Sequence, residues 1–325
     1  MTSLAMIEAA AARLKGRARH TPMLSSPFLD EIAGRRVLVK AECLQHTGSF
    51  KFRGGWSAVS ALDPEVRARG VIAFSSGNHA QGVALAARLH GVGAMIVMPS
   101  DAPATKIANT RALGAEVVPY DRATQDRDAI GAGLAESRGL TLIRPFDDAQ
   151  VIAGQATVGL EIAQQAAELG VNEADVLIPC GGGGLSSGIA LALEGHAPGL
   201  RARTVEPAGF DDVARSLAAG RIQRNDRLSG SICDAIVTPE PGRITFPILQ
   251  RLCGPGLAVS DDDALHAMTL GFSRLRIVAE PGGAVALAAA LLHGNEIRGD
   301  AVIAVVSGGN VDADLFRSAL KQFAK

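Results

Sequence analysis

Lys51 stands in the segment His46-Thr47-Gly48-Ser49-Phe50-Lys51-Phe52-Arg53-Gly54-Gly55, among glycines, small hydroxyls and phenylalanines. A lysine amine becomes a nucleophile when apolar neighbours depress its pKa, because its neutral form condenses with a carbonyl to give a Schiff base. That chemistry makes Lys51 the candidate anchor of a carbonyl cofactor. The competing reading is an ordinary lysine at a helix start.

A second segment, Cys180-Gly181-Gly182-Gly183-Gly184-Leu185-Ser186-Ser187-Gly188, follows a strand-like run and opens the helical run Ile189-Ala190-Leu191-Ala192-Leu193. Four consecutive glycines remove every Cβ, so backbone N–H groups can close around a phosphate at a helix N-terminus, where the dipole also favours negative charge. A tight strand-to-helix turn would need only one or two of them. A dinucleotide fingerprint starting at Gly181 or Gly182 would require its last glycine at Ser186 or Ser187, so that spacing fails, although Glu206 lies near where a ribose-binding acid belongs. A P-loop fails too, for lack of any glycine-lysine-serine or glycine-lysine-threonine sequence.

Phe74-Ser75-Ser76-Gly77-Asn78-His79-Ala80-Gln81-Gly82 is another turn after a strand, rich in hydroxyls, an amide and free N–H groups. It can hold a carboxylate, and helix capping by Ser75, Ser76 or Asn78 is compatible with that use. Val305-Val306-Ser307-Gly308-Gly309-Asn310 ends a strand with a hydroxyl before glycines. Its serine can serve a ring nitrogen as a neutral partner, though Ser-Gly-Gly-Asn is also good turn chemistry.

The elements that must position these residues alternate along the chain. The runs Val37–Lys40, Val71–Phe74, Ala94–Met98, Glu116–Pro119, Val176–Pro179 and Ala301–Val306 read as strands, and alanine-rich helical stretches separate them. Several are apolar at consecutive positions, as parallel strands covered by helices on both faces require. The fold class is therefore α/β, with ligands expected at strand C-termini, where most of the glycine-rich motifs fall. The compact alternation over 70–147 predicts a small domain carrying the Ser75–His79 loop, and residues 1–69 and 148–325 combine into a larger cofactor-binding one.

The 325 residues suit one large or two medium domains. The 32 basic residues nearly balance the 33 acidic ones, which argues against nucleic acid or an anionic membrane as partner. No apolar run approaches the roughly 20 residues that span a bilayer, so a soluble protein is expected. Met1 to His20 carries Glu8 and lacks a signal core, and reads as an amphipathic first helix. Four scattered cysteines form no CxxC pair and point to a reducing cytoplasm, and the seven histidines lack HExxH-like spacing.

Together these segments resemble the serine/threonine dehydratase and serine racemase family of pyridoxal 5′-phosphate enzymes, of the tryptophan synthase β-subunit fold type (fold type II). The similarity runs from Thr21-Pro22 to Ser307-Gly308-Gly309-Asn310, with Val151-Ile152-Ala153-Gly154-Gln155 and Glu280-Pro281-Gly282-Gly283-Ala284 between. The resemblance implies two domains built on open, mostly parallel sheets covered by helices. It implies a Schiff base between Lys51 and the cofactor, Asn78 at the cofactor 3-hydroxyl, Gly181, Gly182, Gly183 and Gly184 at the phosphate, and Ser307 at the pyridine nitrogen. Phe50, Leu185 and Glu280 complete the implied cofactor set. A neutral serine there leaves the ring a weaker electron sink than a carboxylate would, which suits a substrate with a β-leaving group.

By the same resemblance Ser75, Ser76, Asn78 and His79 receive the substrate carboxylate. Ser76 stands opposite Lys51 as a second acid/base group, as in racemase-like members, whereas many dedicated threonine dehydratases have alanine. Thr204-Val205-Glu206-Pro207-Ala208-Gly209-Phe210-Asp211-Asp212 resembles the family's divalent-cation loop, with ligands from Glu206, the Phe210 carbonyl and Asp212, suited to Mg²⁺ or Ca²⁺. A solvated acidic loop is the competing reading. Two departures leave the substrate open: Cys233-Asp234-Ala235 replaces Ala-Asp-Gly, and Phe146 matches threonine dehydratases where animal serine racemases have asparagine. The expected reaction is elimination of water from L-serine or L-threonine to a 2-oxo acid and ammonia, by a cytoplasmic homodimer. Serine racemisation, dehydration of 3-hydroxyaspartate or another β-hydroxy amino acid, and a noncatalytic ligand-binding relative are the alternatives.

Overall fold

A computed structural model of the chain describes residues 2–75, 77–102, 104–121 and 123–323. Ten strands among them build two sheets: β1 (Met23–Ser25), β2 (Arg36–Ala41), β3 (Val71–Phe74), β4 (Ala94–Pro99), β5 (Glu116–Tyr120), β6 (Thr141–Leu142), β7 (Ala174–Pro179), β8 (Leu200–Pro207), β9 (Leu257–Val259) and β10 (Ala301–Val306). The six-stranded sheet has the order β1-β2-β10-β7-β8-β9, and the four-stranded sheet β5-β4-β3-β6. Every pairing is parallel except β1 with β2. All six expected strands are present. The sequence reading missed β1, β6, β8 and β9.

Alternate side chains of the large sheet enter different cores, as the two-residue period of a strand dictates. Val37, Val39, Val302 and Ala304 pack with the helix Pro281–Leu292, whose sequence is apolar all round and wholly buried over 281–291. Leu38, Ile303, Val176 and Ile178 pack on the other face with the helices Ala149–Glu168 and Gly184–His196. In the small sheet Val71, Ala73 and Ile96 share a core with the helices Asn78–Leu89 and Lys51–Ser60. Phe52 is fully buried in it, worth roughly 2 kcal/mol. Lys51 therefore begins a helix that packs into the small-sheet core and against helix Ala149–Glu168.

Helix Lys51–Ser60 crosses helix Ala149–Glu168 closely. A Cβ on Gly154 would lie 2.5 Å from Ser57 Cβ, so only glycine permits the approach. Arg53 then reaches Glu42 and Glu161: its Nε donates to Glu42 Oε2 at 2.8 Å and its Nη1 to Glu161 Oε1 at 2.6 Å. Lys40 Nζ donates to Glu161 Oε2 at 2.6 Å and to the Thr21 carbonyl at 2.7 Å. Burial alone would raise the Glu161 carboxyl; Arg53 and Lys40 outweigh it and hold it below the usual range. This network fixes the start of the Lys51 helix from below. Among the described residues, no helix is long and apolar enough to cross a membrane.

Candidate active site

Lys51, Asn78, Gly181 to Gly184 and Ser307 line one cavity of about 710 Å³, within the usual size range of small-molecule sites. The amine of Lys51 donates to the Pro145 carbonyl at 2.9 Å and lies 5.1 Å from the Phe50 ring centroid. Burial pulls its pKa down to about 8, against the raising pull of Glu280. A usable fraction of neutral amine thus exists near neutral pH.

Asn78 opens the helix that follows β3, and its Nδ2 donates to Glu280 Oε1 at 2.6 Å. Asn310 Nδ2 donates to Asn78 Oδ1 at 2.7 Å and to the Thr47 carbonyl at 2.7 Å. Glu280 is the cap residue of helix Pro281–Leu292, and burial pushes its carboxyl up to about 7. Ser307 directly follows β10 on the cavity wall, its carbonyl accepting from Phe50 N at 3.2 Å. That bond ties the strand to the residue preceding Lys51.

The glycine loop joins β7 to helix Gly184–His196. Gly183 has φ +91°, and its neighbour Gly182 is held by Thr245 Oγ1 at 2.6 Å. A Cβ on Gly184 would fall 2.7 Å from Gln155 Oε1, and one on Gly182 would enter the Phe146 ring. Around the loop, Ser186 Oγ, Thr238 Oγ1 and both amide atoms of Gln155 are buried without a protein partner, and all three residues line the cavity. Buried polar groups normally find partners. An anionic ligand with several acceptor oxygens would satisfy the two hydroxyls and Gln155 Nε2, which donate, together with the loop N–H groups; Gln155 Oε1 only accepts.

In the turn after β3, Gly77 N donates to Ser75 Oγ at 3.1 Å. His79 Nε2 meets the Ile143 carbonyl at 2.9 Å. A carbonyl only accepts, so Nε2 carries the proton and the buried Nδ1 is left as a lone-pair acceptor. Burial first, then Lys51, pull His79 down to about 3, so the ring is neutral. Ser76 lies outside the described residues.

The acidic loop forms away from this cavity, between β8 and helix Asp212–Ala219. Glu206 accepts from Val213 N at 2.9 Å and Ala214 N at 2.7 Å. Asp212 Oδ1 accepts from Asn225 Nδ2 at 2.6 Å, while its Oδ2 is buried without a partner. Burial, and then Asp212, push Glu206 well up; burial pushes Asp212 up to about 7. Phe210 is buried, its N bonded to the Pro207 carbonyl at 3.0 Å. No group of three or more His, Cys, Asp or Glu that could hold a metal occurs among the described residues. The four cysteines are free, and burial raises each thiol, to about 12 for Cys43, Cys233 and Cys253.

The family description "pyridoxal-phosphate dependent enzyme" matches residues 14–308. The chain belongs to that family. It is 45% identical to an L-threo-3-hydroxyaspartate ammonia-lyase of Pseudomonas sp, over 96% of each chain. Among solved structures it resembles a threonine deaminase from T.th., with TM-score 0.90 and 46% identity over 95% of this chain and 99% of that one. Maize serine racemase superposes with TM-score 0.90 at 36% identity, covering 99% and 98%. The observed α/β architecture of mostly parallel sheets is that of fold type II. The cavity fits the family's cofactor on its own evidence: a loop of four glycines packed so closely on Ile236, Phe146, Leu249 and Gln155 that no Cβ fits, unpartnered buried polar atoms beside it, and a lysine of depressed pKa. Sequence reading did not single out Ser186 and Thr238, nor give Gln155 a place in the cradle; only the Ser-Ser pair after the glycines hinted at any of them.

Proposed function

We propose that this protein catalyses α,β-elimination of water from a β-hydroxy amino acid, releasing a 2-oxo acid and ammonia. The observation that carries the reading is the meeting in one cavity of Lys51, at a pKa of about 8, with the Gly181–Gly184 cradle and the neutral Ser307. Bound pyridoxal phosphate supplies an electron sink for charge developing at Cα. Lys51 would anchor the cofactor, and once freed by the substrate its neutral amine would take the Cα proton. Gly181 to Gly184, Leu185 and Ser186 hold the phosphate through N–H groups and hydroxyl. Ser307 would serve the ring nitrogen as a neutral partner, Phe50 would help hold the ring, and Glu280 holds the Asn78 amide that would meet the cofactor. Ser75, Asn78 and His79, at the start of a helix, receive the α-carboxylate. The Cβ–O bond would then break with uptake of one proton by the hydroxyl, matching the one lost from Cα, so that water leaves, and hydrolysis of the resulting enamine would yield the 2-oxo acid and ammonia.

Residues 70–147 act as a small domain bearing the carboxylate loop, 1–69 and 148–325 as the large one, and two chains form a homodimer in the cytoplasm. A divalent cation, Mg²⁺ or Ca²⁺, binds Glu206, the Phe210 carbonyl and Asp212; the unpartnered Asp212 Oδ2 supports that reading. Serine racemisation is the second reading, supported by the likeness to serine racemases and by a serine at position 76. Ser76 would then exchange the Cα proton on the face opposite Lys51.

The test is incubation of the purified holoenzyme with L-serine, D-serine, L-threonine and L-threo-3-hydroxyaspartate, measuring ammonia and enantiomer composition. Ammonia from at least one of them, and none from Lys51→Ala, is the expected result. Visible cofactor absorption with no ammonia from any would support a noncatalytic binder instead.

A further inference from the structure

The geometry points to Asp147 and Thr245 as positioning residues for the cofactor phosphate: together they turn the Gly182 carbonyl out of the cavity, so that the Gly183 N–H faces in. Their role concerns cofactor binding alone and is independent of which amino acid reacts. The Gly182 carbonyl accepts from Thr245 Oγ1 at 2.6 Å and from Gly242 N at 3.1 Å. In a trans peptide the carbonyl and the next N–H point in opposite directions, so these two bonds aim the Gly183 N–H the other way. Gly183 lines the cavity, and among the described residues the N–H groups of Gly183, Gly184, Leu185 and Ser186 meet no acceptor, as at any helix start. Thr245 is wholly buried, and its single hydroxyl proton goes to Gly182 rather than to the Gly242 carbonyl, which lies farther off at 3.2 Å.

Asp147 fixes Thr245 in turn. Its Oδ1 accepts from Ile244 N at 2.7 Å and its Oδ2 from Arg243 N at 3.1 Å. Those two residues lead into helix Thr245–Leu252, so the carboxylate takes free N–H groups at the helix start and complements its dipole. A Cβ on Gly242 would collide with the same carboxylate, so glycine there lets the turn close on it. Asp147 stands in the segment Pro145-Phe146-Asp147-Asp148, and each of the four grips a different part of the site. The Pro145 carbonyl accepts from Lys51 Nζ at 2.9 Å, and the Phe146 ring packs on Gly182. Asp148 Oδ1 caps helix Ala149–Glu168, accepting from Gln150 N at 2.8 Å and Val151 N at 3.0 Å. One short segment thereby spaces the lysine that meets the cofactor carbonyl against the loop that takes the phosphate. Four glycines have no side chains to hold them in one conformation, so the loop depends on bonds from outside.

The experiment titrates the apo forms of wild type, Thr245→Val, Thr245→Ser and Asp147→Asn with three ligands: pyridoxal 5′-phosphate, pyridoxal, which lacks the phosphate, and inorganic phosphate. Imine absorbance follows the first two and phosphorus NMR the third. Thr245→Val keeps the shape and removes the hydroxyl. It is expected to weaken pyridoxal phosphate about 10-fold and inorganic phosphate in parallel, while pyridoxal stays within about twofold. Thr245→Ser keeps the donor and should remain within about threefold of wild type for every ligand. Asp147→Asn leaves Thr245 in place but loosens the turn beneath it, and should shift the phosphate-bearing ligands the same way by roughly 3- to 10-fold. That variant carries the test by itself if Thr245→Val does not fold. Equal losses on pyridoxal phosphate and pyridoxal, unchanged phosphate binding in either variant, or a serine variant as weak as the valine one would each overturn the assignment.

Discussion

The Asn78 amide donates to the Glu280 carboxylate at 2.6 Å, joining the first residue after the β3 turn to the cap of the helix Pro281–Leu292. Two segments separated by 202 residues thereby share one rigid contact at the cavity wall. Glu280 also acts on Lys51, whose pKa it raises against the larger depressing effect of burial.

Glu280→Gln keeps an acceptor for Asn78 and removes the charge. With the raising influence gone, Lys51 should fall below its wild-type value of about 8. Cofactor uptake by the apo protein needs the neutral amine, so its rate rises with pH and reaches half its plateau near that pKa. The half-rate pH, read from growth of imine absorbance in stopped flow, is expected to move down by roughly half a unit or more in the variant. An upward or absent shift would refute this coupling.

Gln155 tests the phosphate cradle through opposite signs in the two states. Its amide is buried without a partner when the cradle holds no anion, which costs about 1–3 kcal/mol. Gln155→Leu should therefore leave the apo protein as stable as wild type, or more so, while cofactor affinity drops about tenfold. Thermal unfolding of the apo form and fluorescence titration with cofactor give the two readings. A variant destabilised in the apo form would show that the amide is structural.

The parts of this molecule that were legible in the sequence are those where chemistry forces composition. β3, β4, β7 and β10 show as consecutive apolar runs because they are buried throughout, and Lys51 and Gly181–Gly184 stand out because their residue types suit a carbonyl anchor and an anion cradle. β8 was hidden by Arg201 and Arg203, whose charges are answered by Asp175 at 2.7 and 3.2 Å, a compensation no local pattern reveals. β1, β6 and β9 have three residues or fewer and carry no measurable period. The Asn310, Asn78 and Glu280 chain and the Gln155 amide depend on partners more than a hundred residues away or on a missing anion.

The acidic loop offers a direct cation test. Burial drives Asp212 up to about 7 and leaves its Oδ2 unpartnered, two costs that a bound Mg²⁺ or Ca²⁺ relieves. Added cation at about a hundred times Kd should stabilise the holoenzyme by about 2.7 kcal/mol, several °C in Tm, and chelation should reverse it. Asp212→Asn should abolish the response. Equal shifts in variant and wild type would assign the effect to general ionic screening.

Arg53 lies two residues from Lys51 and forks between Glu42 and Glu161, with all three side chains buried or nearly so. Removing one member of a buried ion network leaves the others as uncompensated charges, at a cost of about 3–5 kcal/mol. Arg53→Met should lower apo-protein stability by that amount in urea unfolding, and Arg53→Lys should rescue little, because one ammonium cannot serve two carboxylates in the same geometry. The double variant Arg53→Met with Glu161→Gln should recover part of the loss by neutralising one abandoned carboxylate. Recovery is the decisive reading: if the second change adds to the first, the arginine contributes through packing alone, and the Lys51 helix is held by its hydrophobic face rather than by the charges beneath it.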